Sequence, residues 1–193
     1  MRYIYEAVDF LRAPSKSFDS VKGVKLGETF RFVLVTTIVF AVLNGVVGGL
    51  VGSYTMPTGF GGVFLPAVIV MIIVASYIGI IIYLTLFGLW LHLWAYIFGA
   101  RKGLEQTMKS VYYGYSPSYL LGWIPIVSII TGLWSLTLQG MGIKRLHGMA
   151  TGRAAAAVII AFLIPLIVVV VLWLTFMTTL TGMRGIGGSV GGI

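Results

Sequence analysis

Residues 107–143 read TMKSVYYGYSPSYLLGWIPIVSIITGLWSLTLQGMGI, and after Lys109 no Asp, Glu, Lys, Arg or His occurs until Lys144. The stretch exceeds the about 20 apolar residues with which one helix crosses roughly 30 Å of hydrocarbon, and it is barely long enough for two crossings. Its breakers decide between one and two. Pro117, Gly122, Pro125 and Gly132 lie inside it, and Gly122-Trp123-Ile124-Pro125 has the composition of a turn. The spacing therefore predicts two short spans, 107–122 and 126–143. The equally long stretch 63–99 has its only proline, Pro66, near its start and no internal turn. It is expected to be one tilted helix of about 55 Å.

Charge placement leads to the same count. Lys and Arg collect at 2–31, 101–109 and 144–153, and no ionised side chain falls between Arg31 and Arg101. With 59% hydrophobic residues, 9% charged residues and a mean hydropathy of +1.03, the chain is expected to be a polytopic membrane protein. If all three basic patches face the cytoplasm, one crossing follows the first span before Arg101 and an even number lies between Lys109 and Lys144. The expected fold is all-α with five transmembrane helices at 29–52, 63–99, 107–122, 126–143 and 154–180. The N-terminus is then cytoplasmic and the C-terminus outside. The turn-rich stretch 52–59 is the expected first outer loop, and Pro165 an expected kink in the last span.

Around this five-helix membrane domain, 28–181, two segments read differently. Residues 1–27 are expected to form a cytoplasmic lead-in of short amphipathic surface helices. Arg2, Glu6, Asp9 and Arg12 lie on one helical face, Tyr3, Ala7, Phe10 and Leu11 on another, and Phe18 and Val21 anchor the second piece. The acids in the first apolar run argue against a cleavable signal. The Gly-rich tail 182–193 is expected to be flexible.

A net charge of +8 raises the question of nucleic acid. Here, however, the cations are loops of a membrane protein, and anionic headgroups are the expected partner, with no nucleic acid. Arg101, Lys102, Lys109, Lys144, Arg145 and Arg153 are the expected headgroup-facing cations. With no Cys, disulfides and thiolate metal sites are excluded. The spans lack the carboxylates, bases and ligand clusters that intramembrane proteases, proton-coupled pumps and metal transporters use. No catalytic, cofactor-binding or metal-binding residue is expected, and the chain is read as no enzyme.

Polar and small residues supply the remaining candidates. Gly45, Gly48, Gly49 and Gly52 form overlapping small-xxx-small pairs on which a helix packs closely. The reading favours a neighbour within the chain over a membrane-protein partner or a homo-oligomer. Trp90, Trp94, Tyr96 and Phe98 form an aromatic belt, with His92 as an interfacial hydrogen-bonding residue. Pro117 frees a carbonyl one turn earlier, Gly114 opens space beside it, and nearby hydroxyls are the local donors. Tyr113, Gly114, Tyr115, Ser116, Pro117 and Tyr119, with Asn44 and Gln139, thus form a candidate polar notch for a partner, lipid or substrate.

From about 87 to 165 the chain resembles the Yip family, membrane proteins named for interaction with Ypt/Rab GTPases. Phe87-Gly88, Phe98-Gly99, Tyr113-Gly114-Tyr115-Ser116-Pro117, Leu133-Trp134, Gly142-Ile143 and Ala154–Ala157 carry the resemblance, with Pro14 and Phe18 upstream. It implies five spans, a cytosolic N-terminus and a short C-terminus on the far side. Eukaryotic members carry an Asp-Leu-Tyr-Gly-Pro signature before the first span, which is missing here, and that puts GTPase binding in doubt. The chain looks like a short prokaryotic member. Its expected function is non-enzymatic, organising membrane or partner proteins in a trafficking-like or adaptor role. The second reading is a small permease, channel or lipid transporter with a route at the notch. The expected location is the cell membrane, or Golgi and ER membranes in a eukaryote.

Overall fold

A computed structural model describes the backbone of residues 2–53 and 60–190, with side chains over 2–52 and 64–179. The expected first outer loop falls largely at 54–59, outside the described residues. Every element among the described residues is helical: α1 Arg2–Arg12, α2 Pro14–Ser20, α3 Leu26–Ser53, α4 Phe60–Ile97, α5 Leu104–Gly114, α6 Ser116–Leu121, α7 Val127–His147 and α8 Thr151–Val190.

Three of these, over Leu26–Gly52, Phe64–Ile97 and Thr151–Thr179, are long and apolar enough to cross a membrane. This is fewer than the five expected. The difference lies in 107–143, and its cause is local. Pro117 stands in the first turn of α6, so the helix that begins at Leu104 stops at Gly114 and restarts at Ser116. Neither piece reaches bilayer length. The second arm, α7, has 21 residues but carries Thr131, Ser135 and Gln139 and ends in Lys144, Arg145 and His147, which lowers its mean hydropathy. By contrast α4 runs unbroken for 38 residues through Pro66. α8 continues past the expected end near 180 to Val190, into the Gly-rich stretch read as a tail, because each residue added to a formed helix closes one more backbone hydrogen bond. Residues 191–193 lie outside the described residues.

The chain divides into two compact units, 1–158 and 159–193, and the second consists of the rest of α8. Within the first, α3 packs on α4, α5 on α7, and α6 on α3 and α7. The N-terminal helices are amphipathic as expected, with Arg2, Asp9, Arg12 and Lys16 exposed, and their apolar side is turned toward protein. The apolar faces of α1 and α2 are buried in protein, with Ala7, Phe10 and Phe18 fully enclosed. Phe10 stacks on Tyr113 at 4.8 Å between ring centroids and meets Phe18 edge-on at 4.9 Å, while Phe32 of α3 lies 4.6 Å from Tyr113. Such pairs stabilise beyond the apolar area they remove from solvent, so α1 and α2 close the core of this unit.

Candidate functional site

Tyr113, Gly114, Ser116, Pro117 and Tyr119 come together, but as a filled node. All five are buried, and Tyr115 is half-buried, with its ring 5.1 Å from Tyr119 and 6.4 Å from Tyr83. The carbonyl freed by Pro117 belongs to Tyr113, and the Ser116 hydroxyl donates to it at 2.6 Å. The space beside Gly114 is taken by Gln139: a Cβ added there would lie 2.9 Å from its backbone nitrogen and 3.0 Å from its Cα. Gly114 therefore lets α5 and α7 touch backbone to backbone. Below this contact the Ser110 hydroxyl donates to the Gln139 carbonyl at 2.7 Å, and Ser118 and Ser135 pair their hydroxyls at 2.9 Å. Burial pushes the carboxyl of Glu6, on α1, above its ordinary range.

Asn44 is not part of this node. Its amide donates to Ser76 at 2.9 Å, joining α3 to α4. On the same face, a Cβ on Gly45 would meet the backbone of Ile73 at 3.1 Å and of Ile69 at 3.2 Å, and one on Gly49 would meet the Ile69 side chain. Gly48 stands in ordinary contact distance of Ile72, and a Cβ on Gly52 would meet nothing within 4 Å. Two of the four glycines thus set the α3–α4 approach, and their neighbour lies within the chain.

The expected headgroup-facing cations divide into different environments. Lys109 is 1% exposed, and its ammonium pairs with Glu105 at 2.9 Å and donates to the Lys22 carbonyl at 3.3 Å. It does not face headgroups, because an acid one helical turn earlier and the turn after α2 enclose it. Arg145 reaches Asp19 at 3.5 Å, and Asp19 also holds Lys22 at 2.6 Å, which lowers the Asp19 carboxyl below its ordinary range. Arg101, Lys102 and Arg153 are exposed, and Lys144 is partly exposed.

One constellation escaped the sequence reading. The His92 Nδ1 lies 2.8 Å from the Thr107 hydroxyl, which lies 3.0 Å from the His147 Nε2, and the Lys102 backbone N–H donates to His147 Nδ1 at 3.4 Å. That last bond fixes the direction of the chain. His147 accepts at Nδ1, so its neutral ring carries its proton on Nε2 and donates to Thr107, whose hydroxyl then donates to His92. Burial, with His92 and the Lys102 ammonium nearby, lowers the His147 pKa to about 4. The two histidines are 55 positions apart in a chain with no other, and nothing in their spacing announces a shared threonine.

Chemically, the node and the histidine chain join helices. The serine hydroxyls of the node donate to backbone carbonyls or pair with one another, the Thr107 hydroxyl joins the two histidines, and no serine among the described residues is hydrogen-bonded to a base. Among the described residues no three His, Asp or Glu side chains gather as a metal centre.

No curated protein and no solved structure matches the chain. The family model described as the Yip1 domain matches residues 8–174, from within α1 to the last apolar helix. That match takes in the Tyr113–Tyr119 node and the loops on either side of it, and by it the chain belongs to the Yip1 domain family.

Proposed function

We propose that this protein is a non-enzymatic, five-span membrane protein of the cell membrane that organises the bilayer or partner proteins. Its N-terminus and basic loops face the cytoplasm. The hairpin of α5, α6 and α7 supplies two of the five crossings in this reading, and its apolar exterior supports it. Ile126, Ile129, Ile130 and Leu133 are each more than 60% exposed, which suits hydrocarbon and not water. At ~1.5 Å per residue α7 is also long enough for the hydrocarbon layer.

The observation that carries the functional reading is the filled interior. The polar residues best suited to line a route, around 113–119, are packed against Phe10, Phe32 and Gln139. A scaffold needs such a core, and a permease needs an opening in it. GTPase binding is no part of this proposal, since the acidic signature that would carry it is missing from the sequence.

Reconstitution tests the choice. In sealed vesicles containing anionic lipid, the protein is expected to change vesicle size or curvature as its density rises, with solute flux and lipid scrambling at the level of protein-free vesicles. Flux or scrambling well above that level, abolished in Tyr115→Phe or Pro117→Ala, overturns the proposal in favour of a small permease, channel or lipid transporter.

A further inference from the structure

The salt bridges sort the cations. Asp19 takes Lys22 and Arg145, Glu28 takes Arg31 at 2.8 Å, and Glu105 takes Lys109. Among the described residues, Arg2, Arg12, Lys16, Lys25, Arg101, Lys102, Lys144 and Arg153 have no carboxylate within ion-pair distance, and of these Arg101, Lys102 and Arg153 are exposed beside the two loops that follow α4 and α7. They are also gathered. The loop between α4 and α5 and the junction of α7 with α8 cross-brace each other. The Lys102 ammonium lies over Gly148, 3.5 Å from where a Cβ would stand, and the Arg153 guanidinium lies over Gly99, 3.8 Å from the corresponding point.

Each glycine has a positive φ, 73° at Gly148 and 108° at Gly99, which a side chain would strain. The backbone bond from Lys102 to His147 ties the same two segments. Arg101 is anchored beside them. Its guanidinium lies 4.2 Å from the Tyr96 ring centroid and donates to the Tyr96 and Ala100 carbonyls, leaving further donors of the five on an arginine.

Position identifies the counter-charge. The apolar run of α4 ends at Ile97, four residues before Arg101, and that of α8 begins at Thr151, two before Arg153. Three like charges, two on the loop after α4 and one in the first turn of α8, lie where two apolar helices leave hydrocarbon, and an anion between them offsets their mutual repulsion. We infer that Arg101, Lys102 and Arg153 form a binding site for the phosphate of an anionic phospholipid headgroup. This rests on the reading above that these loops face the lipid surface, and deepens it from general attraction to a particular site.

Native mass spectrometry of the full chain, titrated in neutral detergent with phosphatidylglycerol or phosphatidylcholine, tests it. The wild type is expected to retain phosphatidylglycerol preferentially. That preference should fall roughly tenfold or more in Arg101→Gln/Lys102→Gln/Arg153→Gln, because the variant removes the three cations that attract the headgroup. A control, Lys22→Gln/Arg31→Gln/Arg145→Gln, removes three cations that already have carboxylate partners and should keep the preference. Undiminished preference in the first variant, or an equal loss in the control, overturns the site while leaving the headgroup-facing reading intact. No preference in the wild type overturns both. Circular dichroism confirms that each variant keeps its helix content, and if the first variant unfolds, the single variants Lys102→Gln and Arg153→Gln carry the comparison.

Discussion

His147 is neutral in the folded chain for reasons that all lie in its surroundings. Burial is the largest, and the nearby His92 and the Lys102 ammonium add to it, bringing the pKa from 6.5 to about 4. The facing groups are His92 on α4, Thr107 on α5 and Lys102 in the loop between them. Between pH 4 and 6.5 the unfolded chain binds a proton that the folded chain refuses, so stability is full above about pH 6.5 and falls as pH drops toward 4. The loss is on the order of 2–3 kcal/mol for the 7% exposed ring. Thermal unfolding in detergent at pH 7 and 4.5 should therefore show a smaller acid-induced drop for His147→Gln than for the wild type. Equal drops would show that this ring does not titrate on unfolding. Lys109 illustrates the opposite choice for a buried charge. It is enclosed, yet its ammonium has the Glu105 carboxylate and a backbone carbonyl, so its charge is compensated on the spot.

Between elements, close approach is set by glycine where backbone meets backbone. Gly45 of α3 faces the backbone of Ile73 and Ile69 on α4, and backbone yields less readily than a side chain tip. Gly48, a turn away, leaves ordinary contact distance to Ile72. Gly45→Ala should accordingly separate the helices and destabilise by about 1–3 kcal/mol, the range for overfilled cores. Gly48→Ala should be neutral or gain up to about 1 kcal/mol from helix propensity. Equilibrium unfolding in mixed micelles, with both variants side by side, measures the difference. Similar values for the two would mean that the α3–α4 contact can shift freely. The α5–α7 contact at Gly114 has the same construction, with Gln139 as the neighbour. There the proline break matters too. Ending α5 at Gly114 turns α6 aside, which brings Tyr119 to within 6.1 Å of Phe32.

For the whole molecule, the orientation proposed above has a direct check, because a chain without cysteine accepts single labels cleanly. Ser20→Cys and Ala150→Cys should react with an impermeant thiol reagent only from the cytoplasmic side, and Thr58→Cys only from outside. Labelling of Thr58→Cys and Ala150→Cys from one side would refute the proposed count. The membrane class, the unbroken α4 and the family were legible in the chain itself. Hydrocarbon excludes ionised groups so strongly that their one-dimensional spacing reports on solvent, and proline punctuates helices through its own missing N–H. The partner of the freed Tyr113 carbonyl was legible for the same local reason.

Apart from the close helix approach marked by Gly45 and Gly49, what lay beyond reach was how distant segments meet. Phe10 reads as a lipid-facing residue until Tyr113 is brought beneath it, and Lys109 reads as a headgroup cation until the turn after α2 covers it. Two histidines 55 positions apart become one hydrogen-bonded chain only because α4, α5 and α7 meet around Thr107. Amphipathic periodicity states that a face must be covered and is silent on whether lipid or protein covers it, since both are apolar. Local composition alone therefore determined the solvent and the helices of this protein, whereas packing between segments far apart in the chain decided which of its polar and aromatic faces are interior.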